Sequence, residues 1–290
     1  FYNMEQTVIK LAIQKSGRLS EKSIELLKNC GIKFVSNSSS LKTKAFNFPM
    51  EILFLRDDDI PRYVADGVAD FGILGMNEIV EQNQNVEVIK KLGFSKCRLS
   101  IAVPNDFKYD SIQSLEGKKI ATSYPVLLEK HLNSVGVKAE IHEISGSVEI
   151  APTIGLADAI CDLVSTGGTL LMNGLKEVEE IYKSEAALIG NVNLSSEKKA
   201  LLAKWMLRIE AVEKAQNNKY ILMNVPNSAI EEVCNLLPGM KSPTIIPLKT
   251  EGWSSVHSVI HEDTFWEIIE KVKAAGAEGI LVCPIEQMVL

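Results

Sequence analysis

The stretch EILFLRDDDIPRYVADGVADFGILG, residues 51–75, passes from an apolar strand pattern through three acids into a short helical pattern, then back to an apolar strand. Residues 51–55 read as a strand, a helix is expected from Ile60 with Pro61 in its first turn, and 71–74 read as a second strand. Strand, helix and strand in quick succession are the rhythm of a parallel sheet. The same alternation extends outward in both directions. Upstream, VIKLAI reads as a strand, and the helix after it is expected to be capped by Ser20 and ended by Gly31. Downstream, RLSIAVP, KKIATSYPVLLEKHLNSVG and AEIHEI continue the pattern. The fold class that follows is α/β with mostly parallel sheet.

A ten-residue echo sharpens this. Asp66, Asp70, Phe71 and Gly75 have the spacing D-x-x-x-D-apolar-x-x-x-G, and Asp158, Asp162, Leu163 and Gly167 repeat it. Two lobes on related plans, each with a loop beyond a strand's carboxyl end, are expected to face each other across a cleft. From about Lys219 the order becomes strand, helix, strand, strand, helix, strand, which is the βαββαβ order of a ferredoxin-like domain. The helical pattern of 195–218 connects it to the rest.

Composition narrows the class. With 46% apolar and 23% charged residues the 290-residue chain is globular, and no apolar run approaches a membrane span. Lys10 and Lys15 interrupt the apolar residues near the start, so no signal peptide is expected there, and Met4 reads as the natural start. A net charge of −6 argues against a nucleic-acid partner. Any anionic ligand must be met locally, by loops and a few cations. The five cysteines lie far apart and form no C-x-x-C pair, so reduced thiols are expected and neither a zinc site nor a disulfide framework is indicated.

The chemistry gathers at CDLVSTGGTL, residues 161–170. A strand delivers Ser165, Thr166, Gly167, Gly168 and Thr169 to a sheet's end, where glycines permit close backbone approach and hydroxyls add donors. That is a description of a phosphate nest, and Asp162 beside it can accept hydrogen bonds from sugar hydroxyls. The same residues equally describe a strand ending in a plain turn. No Walker or dinucleotide glycine motif is present.

Other features have plainer readings. Asp57, Asp58 and Asp59 are expected to cap and charge-match the helix from Ile60 rather than hold magnesium. His257 and His261 straddle a strand end, too far apart to share a metal. Ser123 and Tyr124 either line the cleft or, for the serine, cap a helix. Cys161 is expected as a buried structural thiol.

AIQKSGRLS, LRDDDIPRYVADGVADFGILG, CRLSIAVP, KKIATSYP, GSVEIAP, GLADAICDLVSTGGTLLMNGLKEVE, SPTIIPL and GAEGILVCPIEQMVL occur in this order from about residue 9 to the end. Together they resemble the ATP phosphoribosyltransferase family in its long form. The resemblance implies a two-lobed, periplasmic-binding-protein-like catalytic core with a C-terminal ferredoxin-like domain. It places lobe I at 1–92 and 178–215, lobe II at 93–177 and a regulatory domain at 216–290.

The implied reaction opens histidine biosynthesis: N1 of ATP attacks the anomeric carbon of 5-phosphoribosyl 1-pyrophosphate (PRPP), and pyrophosphate leaves. Carried onto this chain, PRPP falls to Glu149, Asp162, Ser165, Thr166, Gly167, Gly168 and Thr169. Gln14, Lys15, Ser16, Gly17, Arg18, Arg56, Asp70 and Gly75 would face ATP and pyrophosphate. Mg²⁺ is implied through the substrate's pyrophosphate, and histidine as a feedback inhibitor, with Thr244 and Ser255 as candidate contacts. A cytoplasmic homo-oligomer, dimer or hexamer, is also implied. The rival reading is a two-lobed small-molecule binding module without catalysis.

Overall fold

The computed structural model describes residues 7–35, 40–237 and 242–289, and the expected start at Met4 lies outside them. The chain divides into two compact units, Phe1–Glu25 with Lys33–Lys199, and Leu26–Ile32 with Ala200–Leu290.

The first unit holds two sheets. One has the order β2-β3-β1-β4-β11-β5, built from β1 (Ile9–Gln14), β2 (Lys42–Lys44), β3 (Met50–Leu55), β4 (Phe71–Gly75), β5 (Val86–Lys91) and β11 (Ala186–Asn191). Its centre is β1, parallel to β3 and β4, with Ile9, Leu11, Ala12 and Ile13 fully buried, as a strand covered on both faces requires. The helix α2 (Ile60–Ala65) lies so close to β4 that a Cβ on Gly72 would stand 2.6 Å from Ile60 Cγ2. Only glycine fits there.

The other sheet has the order β10-β6-β9-β7-β8, from β6 (Cys97–Pro104), β7 (Lys119–Thr122), β8 (Glu140–Glu143), β9 (Ala159–Val164) and β10 (Leu175–Ser184). The expectation of mostly parallel sheet is corrected here. β7 is parallel to β8 and β9, but β6 runs antiparallel to β9 and β10, and β11 runs antiparallel to β4 and β5. The chain leaves the first sheet over 92–96 and returns at Glu185, so the strands that begin and end each excursion enter against the direction of the βαβ units. The return falls beyond the 178 expected from sequence, because β10 keeps its pairing with β6 as far as Ser184 opposite Cys97.

Two expected caps are also corrected. The helix α1 (Arg18–Asn29) starts directly after Gly17, so Ser20 lies buried within its first turn instead of capping it. Its far end closes as expected, with Gly31 at φ +71° and the Ile32 N–H donating to the Leu27 carbonyl at 3.0 Å. Asp59 occupies the N-cap of α2 but makes no side-chain capping bond, because its backbone is already helical.

The echo survives in shifted register. Asp70 stands immediately before β4, and its Oδ2 accepts the Lys10 N–H at 2.7 Å while its own N–H donates to the Lys10 carbonyl. Asp158 stands immediately before β9 and does the same with Lys119, at 2.9 and 2.8 Å. Asp70 therefore corresponds in space to Asp158, four residues away from the match with Asp162 that spacing favoured. Both aspartates clamp the start of the neighbouring parallel strand.

The second unit carries β12 (Asn218–Pro226), α7 (Ile230–Leu236), β13 (Thr244–Pro247), β14 (Trp253–His261), α8 (Glu262–Ala274) and β15 (Glu278–Pro284). Its sheet, in the order β13-β14-β12-β15, is antiparallel throughout, which is the ferredoxin-like arrangement. Ile221, Met223, Val225, Val256 and Ile260 turn inward from the strands onto Val233, Phe265 and Val272. The helix α6 (Ser196–Gln216) precedes this domain. Among the described residues no helix is long and apolar enough to cross a membrane.

Candidate active site

The strand β9 carries Asp162 near its carboxyl end and releases the chain into the exposed residues Ser165 and Thr166. Gly167 follows at φ +82°, a left-handed conformation that side chains disfavour, and α5 (Gly168–Met172) starts immediately after it. Buried Leu170 pins this turn to the core while Gly168 and Thr169 stay exposed. The first N–H groups of α5 have no partners within the helix, so they are free to meet an anion. Sequence reasoning missed what holds the base of this loop. Arg98 Nη1 donates to the Ser165 carbonyl at 3.2 Å and the same guanidinium grips Glu177 with two bonds of 2.5 and 2.6 Å. Arg98 in turn holds the Glu177 carboxyl below its usual range.

Asp162 is pushed up to about 6, first by burial and further by the charge of Glu149, against the hydrogen bond that its Oδ1 accepts from the Leu163 N–H at 2.7 Å. Glu149 reaches this neighbourhood from a single 3₁₀ turn, Val148–Ile150, that follows Ser147 at φ +51°. The structure thus brings Glu149 near Asp162 on the strand that leads into the loop Ser165, Thr166, Gly167, Gly168 and Thr169, the residues that the resemblance assigns to PRPP. Ser123 is not a helix cap: its hydroxyl donates to the Ile144 carbonyl at 2.7 Å. The helix α4 (Pro125–Val135) is capped from outside its own lobe instead. Glu81, on α3 (Met76–Gln82), accepts the Val126 and Leu127 N–H groups at 2.8 and 2.9 Å.

Between the two sheets of the first unit lies a cavity of about 270 Å³. Gln14, Arg18 and Gly75 line it from one side, Leu163, Ser165 and Tyr124 from the other. Lys15, Ser16 and Gly17 are exposed just beyond β1 and do not line it. Arg56 is exposed as well and pairs with Asp58 at 3.4 Å. Asp57, read from sequence as a helix cap, lines the cavity and accepts a 3.3 Å bond from Gln14 Nε2.

Asp70 is not in the cleft. It sits at the opposite end of β4 from Gly75, 4% exposed, with Lys198 Nζ at 2.6 Å. A strand's two ends are separated by its length, so the assignment of Asp70 to the ATP and pyrophosphate side, which the resemblance implies, is corrected here, while Gly75 keeps its place.

Glu78 and Lys96 line the cavity without having been singled out in sequence. Burial, followed by the charge of Asp57, pushes Glu78 up to about 7. Lys96, Cys97, Ser165 and Ser184 also line a second cavity of about 510 Å³, where Lys91, Arg98 and Lys183 add cations. The one sequence signal for Glu78 was its place three residues after a glycine that ends a strand.

Comparison with known proteins gives this geometry a family. The family described as HisG, ATP phosphoribosyltransferase, matches residues 56–211, and its C-terminal domain family matches residues 215–287. An ATP phosphoribosyltransferase of Cytophaga hutchinsonii is 60% identical over 98% of this chain and 99% of its own length. One from Phocaeicola vulgatus is 56% identical over 98% and 100%. Among solved structures, an ATP phosphoribosyl transferase (HisG:HisZ) complex from Thermotoga maritima matches 70% of this chain and 96% of its own, with a TM-score of 0.61 and 28% identity. The substrate-binding protein of an amino acid ABC transporter matches at a TM-score of 0.50 and 15% identity, covering 72% and 94%, which is likeness of fold. With both family regions matched in chain order and relatives aligned over nearly the whole length, this chain belongs to the ATP phosphoribosyltransferase family.

Proposed function

We propose that this chain catalyses the first step of histidine biosynthesis, in which N1 of ATP attacks C1′ of PRPP to give N1-(5-phosphoribosyl)-ATP and pyrophosphate. The observation that carries this is the pairing of one cavity with two kinds of wall. The second lobe meets it at Leu163, Ser165 and Tyr124, and Ser165 opens the anion nest continued by Thr166, Gly167, Gly168 and Thr169 just outside the cavity, at the end of the strand that carries Asp162. The first lobe offers Gln14, Arg18 and Gly75. The nest receives the 5-phosphate and Asp162 accepts from the ribose hydroxyls. Arg18, with Lys15 and Arg56 outside the cavity, supplies charge for the two polyphosphates. Adenine N1 is a weak nucleophile, so alignment across the cleft carries much of the rate.

Magnesium fits as an ion carried in on pyrophosphate. Among the described residues no three acidic, histidine or cysteine side chains converge on one point, which leaves substrate oxygens as the main donors and Glu149 as the carboxylate beside them. Bound there, the ion neutralises charge on the leaving group.

Incubation with ATP, PRPP and Mg²⁺ is expected to yield phosphoribosyl-ATP, followed by its absorbance. Folded protein that makes none, and that binds an amino acid in calorimetry but not PRPP, would establish the binding-module reading instead.

The two sheets of the first unit act as the catalytic lobes and the ferredoxin-like domain as the regulatory one. Its outer sheet face has a polar row suited to an amino acid: Tyr220 Oη lies 2.7 Å from His257 Nδ1, Ser255 Oγ lies 2.9 Å from His257 Nε2, and Thr244 stands opposite His257 in the ladder. Histidine acts there as inhibitor, in a cytoplasmic homo-oligomer that moves between dimer and hexamer. Ser255→Ala is expected to raise the half-inhibitory histidine concentration about tenfold, the worth of one hydrogen bond, with uninhibited turnover unchanged. An unchanged inhibition curve would place the effector elsewhere.

A further inference from the structure

One buried acid of the cleft has no task in the proposed reaction. Glu78 is 7% exposed and lines the cavity, and it is built into place from three directions. The Ser184 hydroxyl donates to Asn77 Oδ1 at 2.7 Å, which orients the amide so that Asn77 Nδ2 donates to Glu78 Oε1 at 3.2 Å. The Tyr124 hydroxyl donates to the same carboxylate from the second lobe. On the next turn of α3, Glu81 clasps the first N–H groups of α4, which fixes α3 against the strand end that presents Tyr124. A carboxylate has about four acceptor positions. Asn77, Tyr124 and Gln82 account for three of them, which leaves one for a ligand.

Leu19, Leu163 and the ring of Tyr124 give this cavity apolar surface, and Arg18 and Lys96 add cations to its lining. Apolar walls, one buried acceptor and neighbouring cations together suit a flat base that donates a hydrogen bond and carries a polyanion. Adenine does so through its N6 amine, which adjoins the reacting N1. We propose that Glu78 is a catalytic base that reads adenine: its carboxylate accepts a hydrogen bond from N6 and takes that proton as N1 bonds to the ribose.

This rests on the transferase reading, and its electrons balance. The N1 lone pair forms the bond to C1′ while the bonding pair of C1′–O departs with pyrophosphate. The ring, now cationic, loses one N6 proton to Glu78 and becomes the neutral imine. A base works best with a pKa near the working pH, and burial together with the charges of Asp57 and Asp58 brings Glu78 to about 7, while Tyr124 and its helix neighbour Gln82 oppose that rise. Below about 7 the carboxyl already carries a proton and cannot take the one from N6, so turnover falls with falling pH.

The test is kcat against pH for the full chain with ATP, PRPP and Mg²⁺, comparing wild type, Glu78→Gln and Tyr124→Phe. Wild type is expected to show an acid limb near pH 7. Glu78→Gln is expected to lose about 10²-fold in kcat at pH 8, with the PRPP KM unchanged and the limb gone. Tyr124→Phe removes a donor that favours the charged form, so its limb moves to higher pH while turnover persists above it. Glu78→Gln that keeps wild-type kcat, or keeps the limb, overturns the proposal. Should that variant fail to fold, an unmoved limb in Tyr124→Phe overturns it equally. No product from wild type overturns the transferase reading along with this one, whereas an active wild type with an indifferent Glu78→Gln overturns this one alone.

Discussion

Asp162→Asn is expected to cut kcat/KM for PRPP roughly a hundredfold and, at the same time, to make the folded protein more stable at neutral pH. The kinetic loss follows from replacing a charged acceptor of sugar hydroxyls by a neutral one, worth about 3 kcal/mol for two charge-assisted bonds. The stability gain has a separate cause. In the folded chain Asp162 is raised from 3.8 to about 6, chiefly by burial. Folding therefore favours its protonated form, so stability falls as pH rises from about 4 to about 6 and stays lower above that. The deficit is on the order of 2–3 kcal/mol at pH 7.5. Asparagine carries no charge to bury and keeps an oxygen for the Leu163 N–H. Urea unfolding at pH 4 and pH 7.5 measures it: the variant and wild type should agree at the lower pH and separate at the higher one. Equal stability at both, with unchanged PRPP kinetics, would remove Asp162 from the site.

Asp70→Ala is expected to do the reverse, destabilising the fold by about 3–5 kcal/mol without altering the KM for either substrate. The substitution leaves the Lys198 ammonium, paired at 2.6 Å and two-thirds buried, without its partner and frees the Lys10 N–H from its side-chain acceptor. Asp158→Ala removes the matching backbone clamp in the second lobe, but Asp158 is exposed and holds no such cation. It should cost only about 1 kcal/mol. Denaturant midpoints of the two variants compare them directly. A shift in KM for Asp70→Ala in protein that stays folded would return this residue to the cleft.

That contrast shows where spacing misled and why. Asp66, Asp70 and Gly75 match Asp158, Asp162 and Gly167 in one dimension, and β4 does turn into a helix as β9 does. The backbone clamps reveal that the equivalent acids are Asp70 and Asp158, because both pair with a backbone at the start of the neighbouring parallel strand, Lys10 and Lys119. Residue intervals record distance along the chain and nothing about which end of a strand faces the ligand. Asp57 illustrates the same limit. Three acids before a helix are normally a cap, but the turn at Asp59 is already helical and Asp57 points to Gln14 in the cavity.

Local chemistry was legible. The order of strands and helices, the βαββαβ ending, the glycine at φ +82° in the anion loop and the stop at Gly31 all follow from propensity and period, which act between near neighbours. Strand direction did not follow, since whether β6, β10 and β11 run parallel depends on where the chain crosses between sheets. Tyr124 was legible as a residue that lines the cleft, but Glu78, Glu81 and Arg98 were not, because their roles arise from partners 45 or more residues away in sequence, such as Glu81 with Val126 and Arg98 with Ser165. The sequence by itself determined the elements, the family and the glycine turn at Gly167 and Gly168, because these reside in contiguous segments. Only the tertiary structure decided which acids are buried, which are paired and which face the cleft, because desolvation and Coulomb interaction depend on distance through space.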